Sequence, residues 1–133
     1  MHIMVCLDDR NGMLFNRRRL SSDRAVCSRI LKLAADTRLW MNGYSARLFE
    51  DQAVLTDEDF LEKAEPGDVC FVENADILPY AEKVSIVTVF CWNRVYPSDV
   101  KFPMALLDGW QQIQIGDFPG SSHERITEWR YVR

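Results

Sequence analysis

Short apolar segments that alternate with helix-forming segments constrain the fold of this chain more than any other feature. Each segment is four to ten residues long and is followed by a polar or turn-forming stretch. Runs of this length between turn signals are typical of β-strands. The predicted strands are residues 3–7 (IMVCL), 38–42 (RLWMN), 53–56 (AVLT), 68–74 (DVCFVEN), 83–92 (KVSIVTVFCW, the longest), 110–118 (WQQIQIGDF) and 125–133 (RITEWRYVR). Strands that alternate with helices before two closing strands indicate an α/β fold.

Helical spacing is clearest in the segment that follows the first turn-rich loop. Val26, Ile30 and Leu33 recur at the spacing of one helix face, and Ser21 or Ser22 can cap the helix. DEDFLEKA at residues 57–64 predicts a second helix, which is acidic at its start and is followed by Pro66-Gly67. Residues 43–49 are predicted to form a short helix or a turn.

Length and composition limit the class of protein. The 133 residues suit a single domain, 1–133, and the net charge of −4 disfavours binding to long nucleic acid. The N-terminus turns acidic after seven residues and no apolar run approaches a membrane span, so we expect a cytoplasmic protein that does not bind membranes. Four scattered cysteines indicate reduced thiols. Two histidines are too few for a usual zinc site, and we expect no metal.

Several short motifs follow one another in an order that points to a known family. They are Gly12-Met13, Leu20-Ser21-Ser22-Asp23, Leu39 to Ser45, Ile77-Leu78-Pro79, Lys101-Phe102-Pro103, Asp108-Gly109-Trp110 and Ser122-His123. In order and spacing the chain resembles dihydrofolate reductase. The resemblance implies a single-domain, three-layer α/β sandwich whose central, mostly parallel sheet ends in antiparallel C-terminal strands. It also implies that Asp23 takes the place of the family's one acidic active-site residue.

Three departures from the family's pattern fall in its dinucleotide site. The family binds NADPH with a glycine-rich turn, where this chain has Glu73-Asn74-Ala75. Gly43 stands where the family has an arginine. Where the family has a further strand and loop, this chain has only the three residues Glu50-Asp51-Gln52. A glutamate would repel a pyrophosphate, whereas glycines let phosphates approach the backbone. We therefore predict no cofactor, and NADP enters only under a reductase alternative.

The candidate site residues lie in the arginine-rich loop, at the start of the first long helix, and at two strand ends. They are Arg17, Arg18, Arg19, Ser22, Asp23, Trp40, Asn42, Tyr44, Ser45, Glu73 and Asn74. Ligands of open α/β sheets bind at strand ends, and guanidinium groups suit anionic ligands. Each residue also has a structural alternative: a helix-start acid for Asp23, a solvated loop for the arginines, the core for Trp40.

Asp23 has two uses if it is functional. It can accept hydrogen bonds from an amino-substituted ring, or it can hold a proton near neutral pH through partial burial. It would be catalytic only if the chain is an enzyme. A Ser-His catalytic pair at Ser121, Ser122 and His123 is rejected, because no acid in the sequence is seen to orient the histidine.

Three functions fit these observations. The first is a non-catalytic protein that holds a nucleotide-like or pterin-like ligand, with an anionic group, in the cleft; such a protein can sequester a signalling nucleotide. The second is a minimal NADPH-dependent dihydrofolate or pterin reductase. The third is an interaction module that forms a homo-oligomer through an exposed sheet edge.

Overall fold

The computed structural model describes residues 1–50 and 53–133, so part of the expected truncation at Glu50-Asp51-Gln52 lies outside the described residues. The strands are β1 (His2–Leu7), β2 (Gly12–Phe15), β3 (Arg18–Arg19), β4 (Leu39–Met41), β5 (Leu55–Thr56), β6 (Val69–Phe71), β7 (Ile86–Cys91), β8 (Val100–Lys101), β9 (Gln111–Phe118) and β10 (Ile126–Val132). The helices are α1 (Arg24–Leu33), α2 (Gly43–Ala46) and α3 (Phe60–Lys63), and 3₁₀ turns cover Arg47–Phe49, Leu78–Lys83 and Met104–Leu107.

A seven-stranded sheet forms the centre of the molecule, in the order β5-β4-β6-β1-β7-β10-β9. The pairs among β5, β4, β6, β1 and β7 are parallel, and β10 pairs antiparallel with both β7 and β9. The predicted α/β fold with a mostly parallel sheet and antiparallel C-terminal strands is confirmed.

Apolar side chains cover both faces of this sheet. Ile3 and Val5 belong to one buried cluster, while Met4 packs in a second cluster with Val26 and Ile30 of α1. Residues on β1 alternate between the two faces, yet Ile3, Met4 and Val5 are all fully buried. Burial on both faces explains why this strand is a continuous apolar run in the sequence.

A second, three-stranded sheet, β3-β2-β8, was not predicted. In place of the expected turn-rich loop, β2 and β3 form a hairpin whose two turn residues, Asn16 and Arg17, have φ angles of 51° and 63°. Two consecutive positive φ angles are the geometry of a two-residue hairpin turn that matches strand twist. The hairpin was missed because its turn, Asn16-Arg17, lacks the usual Asn-Gly signal.

Other expectations were wrong in detail. The N-cap of α1 is Asp23, whose side chain accepts the N–H of Ala25, and not Ser21 or Ser22. The longest strand is β9 with eight residues, and β7 has six. Among the described residues, no helix combines the length and apolar character needed to span a bilayer.

Candidate functional site

Arg19 of the hairpin reaches across to Glu73, the second residue after β6. Arg19 Nε lies 2.9 Å from Glu73 Oε2, and Nη2 lies 3.1 Å from Oε1, which makes the ion pair bidentate. The guanidinium carbon also lies 4.1 Å from the ring centroid of Tyr44. Ser45 Oγ donates to Glu73 Oε1 at 2.8 Å. We call Arg19, Tyr44, Ser45 and Glu73 the Arg19–Glu73 network.

The start of α2 holds this network against the strand ends. Asn42 caps α2 by accepting the N–H of Ser45 at 3.1 Å, and its amide donates to Asn74 Oδ1 at 2.6 Å. The backbone N–H of Arg19 donates to the hydroxyl of Tyr44 at 2.9 Å. Six of the candidate residues are thus brought together where β4 and β6 end: Arg19, Asn42, Tyr44, Ser45, Glu73 and Asn74.

A second group of polar residues surrounds Asp23, whose side chain is completely buried. Its Oδ1 accepts the backbone N–H groups of Ala25 at 2.8 Å and Ser121 at 2.9 Å. Its Oδ2 accepts the N–H of Ser122 at 2.9 Å and lies 3.0 Å from His123 Nδ1, and the Ser122 hydroxyl oxygen lies 3.3 Å away. We call Asp23, Ser121, Ser122 and His123 the Asp23 cluster.

These contacts use the full hydrogen-bonding capacity of the Asp23 carboxylate. Four donors, the N–H groups of Ala25, Ser121 and Ser122 and the ring of His123, face a carboxylate that offers about four acceptor positions. Burial alone would raise the pKa of Asp23, but the hydrogen bonds from Ser121, His123 and Ser122 outweigh burial and hold the pKa well below its usual range. Asp23 is therefore ionised at neutral pH, and the proton-holding use left open by the sequence does not fit this geometry.

His123 joins Asp23 to two hydroxyl groups. Its Nδ1 lies 3.0 Å from Asp23 Oδ2, and its Nε2 lies 3.1 Å from Ser21 Oγ and 3.0 Å from the hydroxyl oxygen of Tyr96. The expectation that no acid orients His123 is therefore wrong, since Asp23 does so from 100 positions earlier in the chain. The cavity beside Ser21 is only about 10 Å³, which is room for about one water molecule and not for an acyl substrate.

Of the remaining candidate residues, Ser22 borders the Asp23 cluster, and Arg17, Arg18 and Trp40 lie apart from both groups. Arg17 and Arg18 are exposed on the hairpin, and Ser22 is exposed while its carbonyl accepts the Ser122 hydroxyl at 2.9 Å. Trp40 packs against the core and its indole N–H donates to Asp68 at 3.0 Å. Only Arg19 of the three arginines enters the cleft.

A cavity of about 190 Å³ lies next to Glu73, between the small sheet and the loop after β6. We call it the cleft cavity. Most of the residues that line it are apolar, and four are polar or charged. The lining residues are Met13, Leu14, Glu73, Asn74, Ala75, Asp76, Ile77, Val100, Lys101, Phe102 and Pro103. Met13 and Lys101-Phe102-Pro103 are motifs of the resemblance to dihydrofolate reductase, but they were not among the predicted site residues. Only their order along the chain could have indicated that they line a cavity.

Thiol and metal chemistry have little support at the site. All four cysteines are free, and burial raises the pKa of Cys27 to about 11 and that of Cys70 to about 12. Neutral thiols are weak nucleophiles. Across residues 1–50 and 53–133, no group of three or more His, Cys, Asp or Glu side chains is arranged to hold a metal ion.

Comparison with solved structures identifies the fold. Dihydrofolate reductase from Enterococcus faecalis, complexed with NADP(H) and RAB-propyl, matches with a TM-score of 0.61 over 99% of this chain and 95% of that chain, at 10% sequence identity. No family model matches the chain. No curated protein matches it at a significant level. The chain has a dihydrofolate reductase-like fold, and an identity this low shows the fold alone.

Proposed function

We propose that the chain is a non-catalytic binding protein that holds a small nucleotide-like or pterin-like molecule in its cleft. The observation that carries the proposal is the saturation of Asp23. A carboxylate with four donors from its own chain cannot also bind an amino-substituted ring without giving up buried hydrogen bonds. An acid that is ionised throughout the physiological range cannot supply a proton in that range.

The turn after β6 supports the same conclusion, because its residues do not fit a dinucleotide cofactor. The Glu73 carboxylate occupies the turn and is held there by Arg19 and Ser45. Asp76 adds a second carboxylate to the lining of the cleft cavity. Two acids here oppose the approach of a pyrophosphate, and the one cation that enters from the hairpin is already paired with Glu73.

The cleft cavity is the part of the molecule that suits the ring of such a ligand. Leu14, Ile77 and Phe102 give it an apolar lining, to which Glu73 and Asn74 add polar side chains. A flat heterocycle with amino groups fits this combination, since apolar walls with a few polar groups are typical of small-molecule sites. A protein of this kind can sequester a signalling nucleotide. The reduced cysteines support a cytoplasmic location.

Calorimetry and an activity assay together test this proposal. The chain is titrated with a panel of nucleotides and pterins, and NADPH oxidation is followed by absorbance with dihydrofolate present. We expect heat of binding for at least one ligand, and no oxidation above the background without protein. Absence of binding across the whole panel overturns the binding role, and oxidation that requires the protein establishes the reductase alternative instead.

A second candidate function, self-association through a sheet edge, is favoured by β9. This eight-residue strand lies at the edge of the large sheet, and Ile113 and Ile115 are 37% and 39% exposed. Long apolar edges invite pairing with another chain. Light scattering after size-exclusion chromatography tests this: a dimer that Ile113→Lys converts to a monomer supports it, and a wild-type monomer at all concentrations refutes it.

A further inference from the structure

The outer face of the β2–β3 hairpin carries an open groove of about 520 Å³, which neither the cleft nor the Asp23 cluster uses. We call it the hairpin groove. Its lining is Phe15, Asn16, Arg18, Arg19, Leu20, Tyr96 and Pro97. Leu14 lines the cleft cavity and its neighbour Phe15 lines the groove. Because successive strand residues face opposite ways, the groove and the cleft lie on opposite sides of the hairpin.

Two aromatic rings line the groove, and one of them, Tyr96, is held in place by contacts outside it. Phe15 is 43% exposed on β2 and is paired across the hairpin with Arg18. Tyr96 is fixed at both ends, because its backbone N–H donates to Asp8 Oδ2 at 3.0 Å and its hydroxyl lies 3.0 Å from His123 Nε2. An exposed ring beside a fixed ring offers apolar faces on which a planar ligand can stack without ordering new side chains.

The groove also has a cation that the rest of the molecule does not use. Within residues 1–50 and 53–133, Arg18 and Arg17 make no ion pair, whereas the charge of Arg19 is paired with Glu73. Asp99, an acid beside the hairpin turn, accepts the backbone N–H of Asn16 at 3.0 Å. Arg18 is therefore an exposed guanidinium next to two aromatic rings on a chain whose net charge is −4.

We propose that the hairpin groove binds a phosphate-bearing aromatic molecule of the nucleoside monophosphate class. The base stacks on Phe15 and Tyr96, and the phosphate accepts hydrogen bonds from Arg18, whose planar donors match phosphate oxygens. The groove volume lies in the range usual for small-molecule sites. The proposal goes beyond the cleft ligand and does not depend on it, because the two sites share only the backbone of the hairpin and the position of Arg19.

The test is a titration followed by amide NMR, with AMP, adenosine and inorganic phosphate as three separate probes. We expect AMP to shift the amides of residues 15–20 and Tyr96 and to bind about tenfold or more tightly than adenosine, since a charged hydrogen bond contributes roughly that factor. Arg18→Gln should remove this difference between AMP and adenosine. The control Lys32→Gln removes one positive charge at an exposed position of α1. It should leave the affinity for AMP within about twofold of the wild-type value.

Each other outcome separates this inference from the proposed function. AMP shifts confined to residues 73–77 overturn the groove assignment and leave the cleft proposal standing. Binding of AMP that Arg18→Gln does not weaken also overturns it. If AMP and adenosine both fail while an acidic peptide shifts residues 15–20, the groove is a protein-docking surface and the nucleotide assignment is wrong. If no probe shifts the amides of either the hairpin groove or the cleft, the nucleotide assignment of the groove is refuted. The same result counts against the proposed binding role of the cleft.

Discussion

Asp23→Asn should destabilise the fold strongly, because Asp23 is a structural acid in this account. The substitution keeps the shape of the side chain and one oxygen, which can still accept from Ala25 and Ser121. The new amide nitrogen would face the buried N–H of Ser122, which then has no acceptor, and His123 Nδ1, which must change tautomer to accept from the amide. An unsatisfied buried donor costs about 1–3 kcal/mol, so we expect a loss of roughly 2 kcal/mol in the free energy of unfolding.

Urea unfolding, followed by circular dichroism and extrapolated linearly to zero denaturant, measures this loss. The matched control is Asp36→Asn, because Asp36 is exposed and its replacement should change stability by less than about 0.5 kcal/mol. An acid kept for catalysis behaves in the opposite way, since its replacement is commonly neutral or stabilising. If Asp23→Asn is as stable as wild type or more stable, the structural account of Asp23 is refuted.

Three further predictions concern other parts of the fold. Arg19→Met should cost about 2 kcal/mol in urea unfolding, because Glu73 is 9% exposed and loses its bidentate partner. Burial lowers the pKa of His2 to about 4 from 6.5, so its contribution to stability is complete above pH 6.5 and is lost as the pH falls towards 4; His2→Gln should flatten that part of a stability–pH profile. Gly120→Ala should lower the melting temperature, because a Cβ would lie 2.6 Å from Asp23 Oδ2.

Controls and contrary results are available for each of these. Arg125→Met removes an exposed pair with Asp117 and should change stability little; equal losses for Arg125→Met and Arg19→Met would refute the burial argument. If the stability–pH profile of His2→Gln matches that of the wild type between about pH 4 and pH 6.5, the pKa of His2 is not lowered by folding. If Gly120→Ala melts at the wild-type temperature, the turn before the Asp23 cluster relaxes at no cost.

The sheet could be predicted from the sequence because its strands are local patterns. The run at residues 3–7 is apolar at every position since β1 is buried on both faces, and the closing pair β9–β10 follows from its intervening Pro119-Gly120 turn. The hairpin at residues 12–19 was missed because Asn16-Arg17 adopts positive φ angles without the glycine that usually signals such a turn.

The site was less predictable because its contacts are long-range. The resemblance drew attention to Asp23 and Glu73, and both lie among polar partners. Their partners could not be read locally: Ser121 and His123 are 98 and 100 residues from Asp23, and Arg19 is 54 residues from Glu73. Which of three adjacent arginines turns inward depends on the hairpin register, and a single sequence does not encode that register in a readable pattern.

The absorbance assay of NADPH oxidation with dihydrofolate shows whether this dihydrofolate reductase-like fold, in which no active-site acid is free, reduces dihydrofolate. We predict that purified protein, at a concentration high enough to detect a slow enzyme, adds nothing to the background rate. Oxidation that requires the protein and is lost in a folded Asp23→Asn variant would contradict the account.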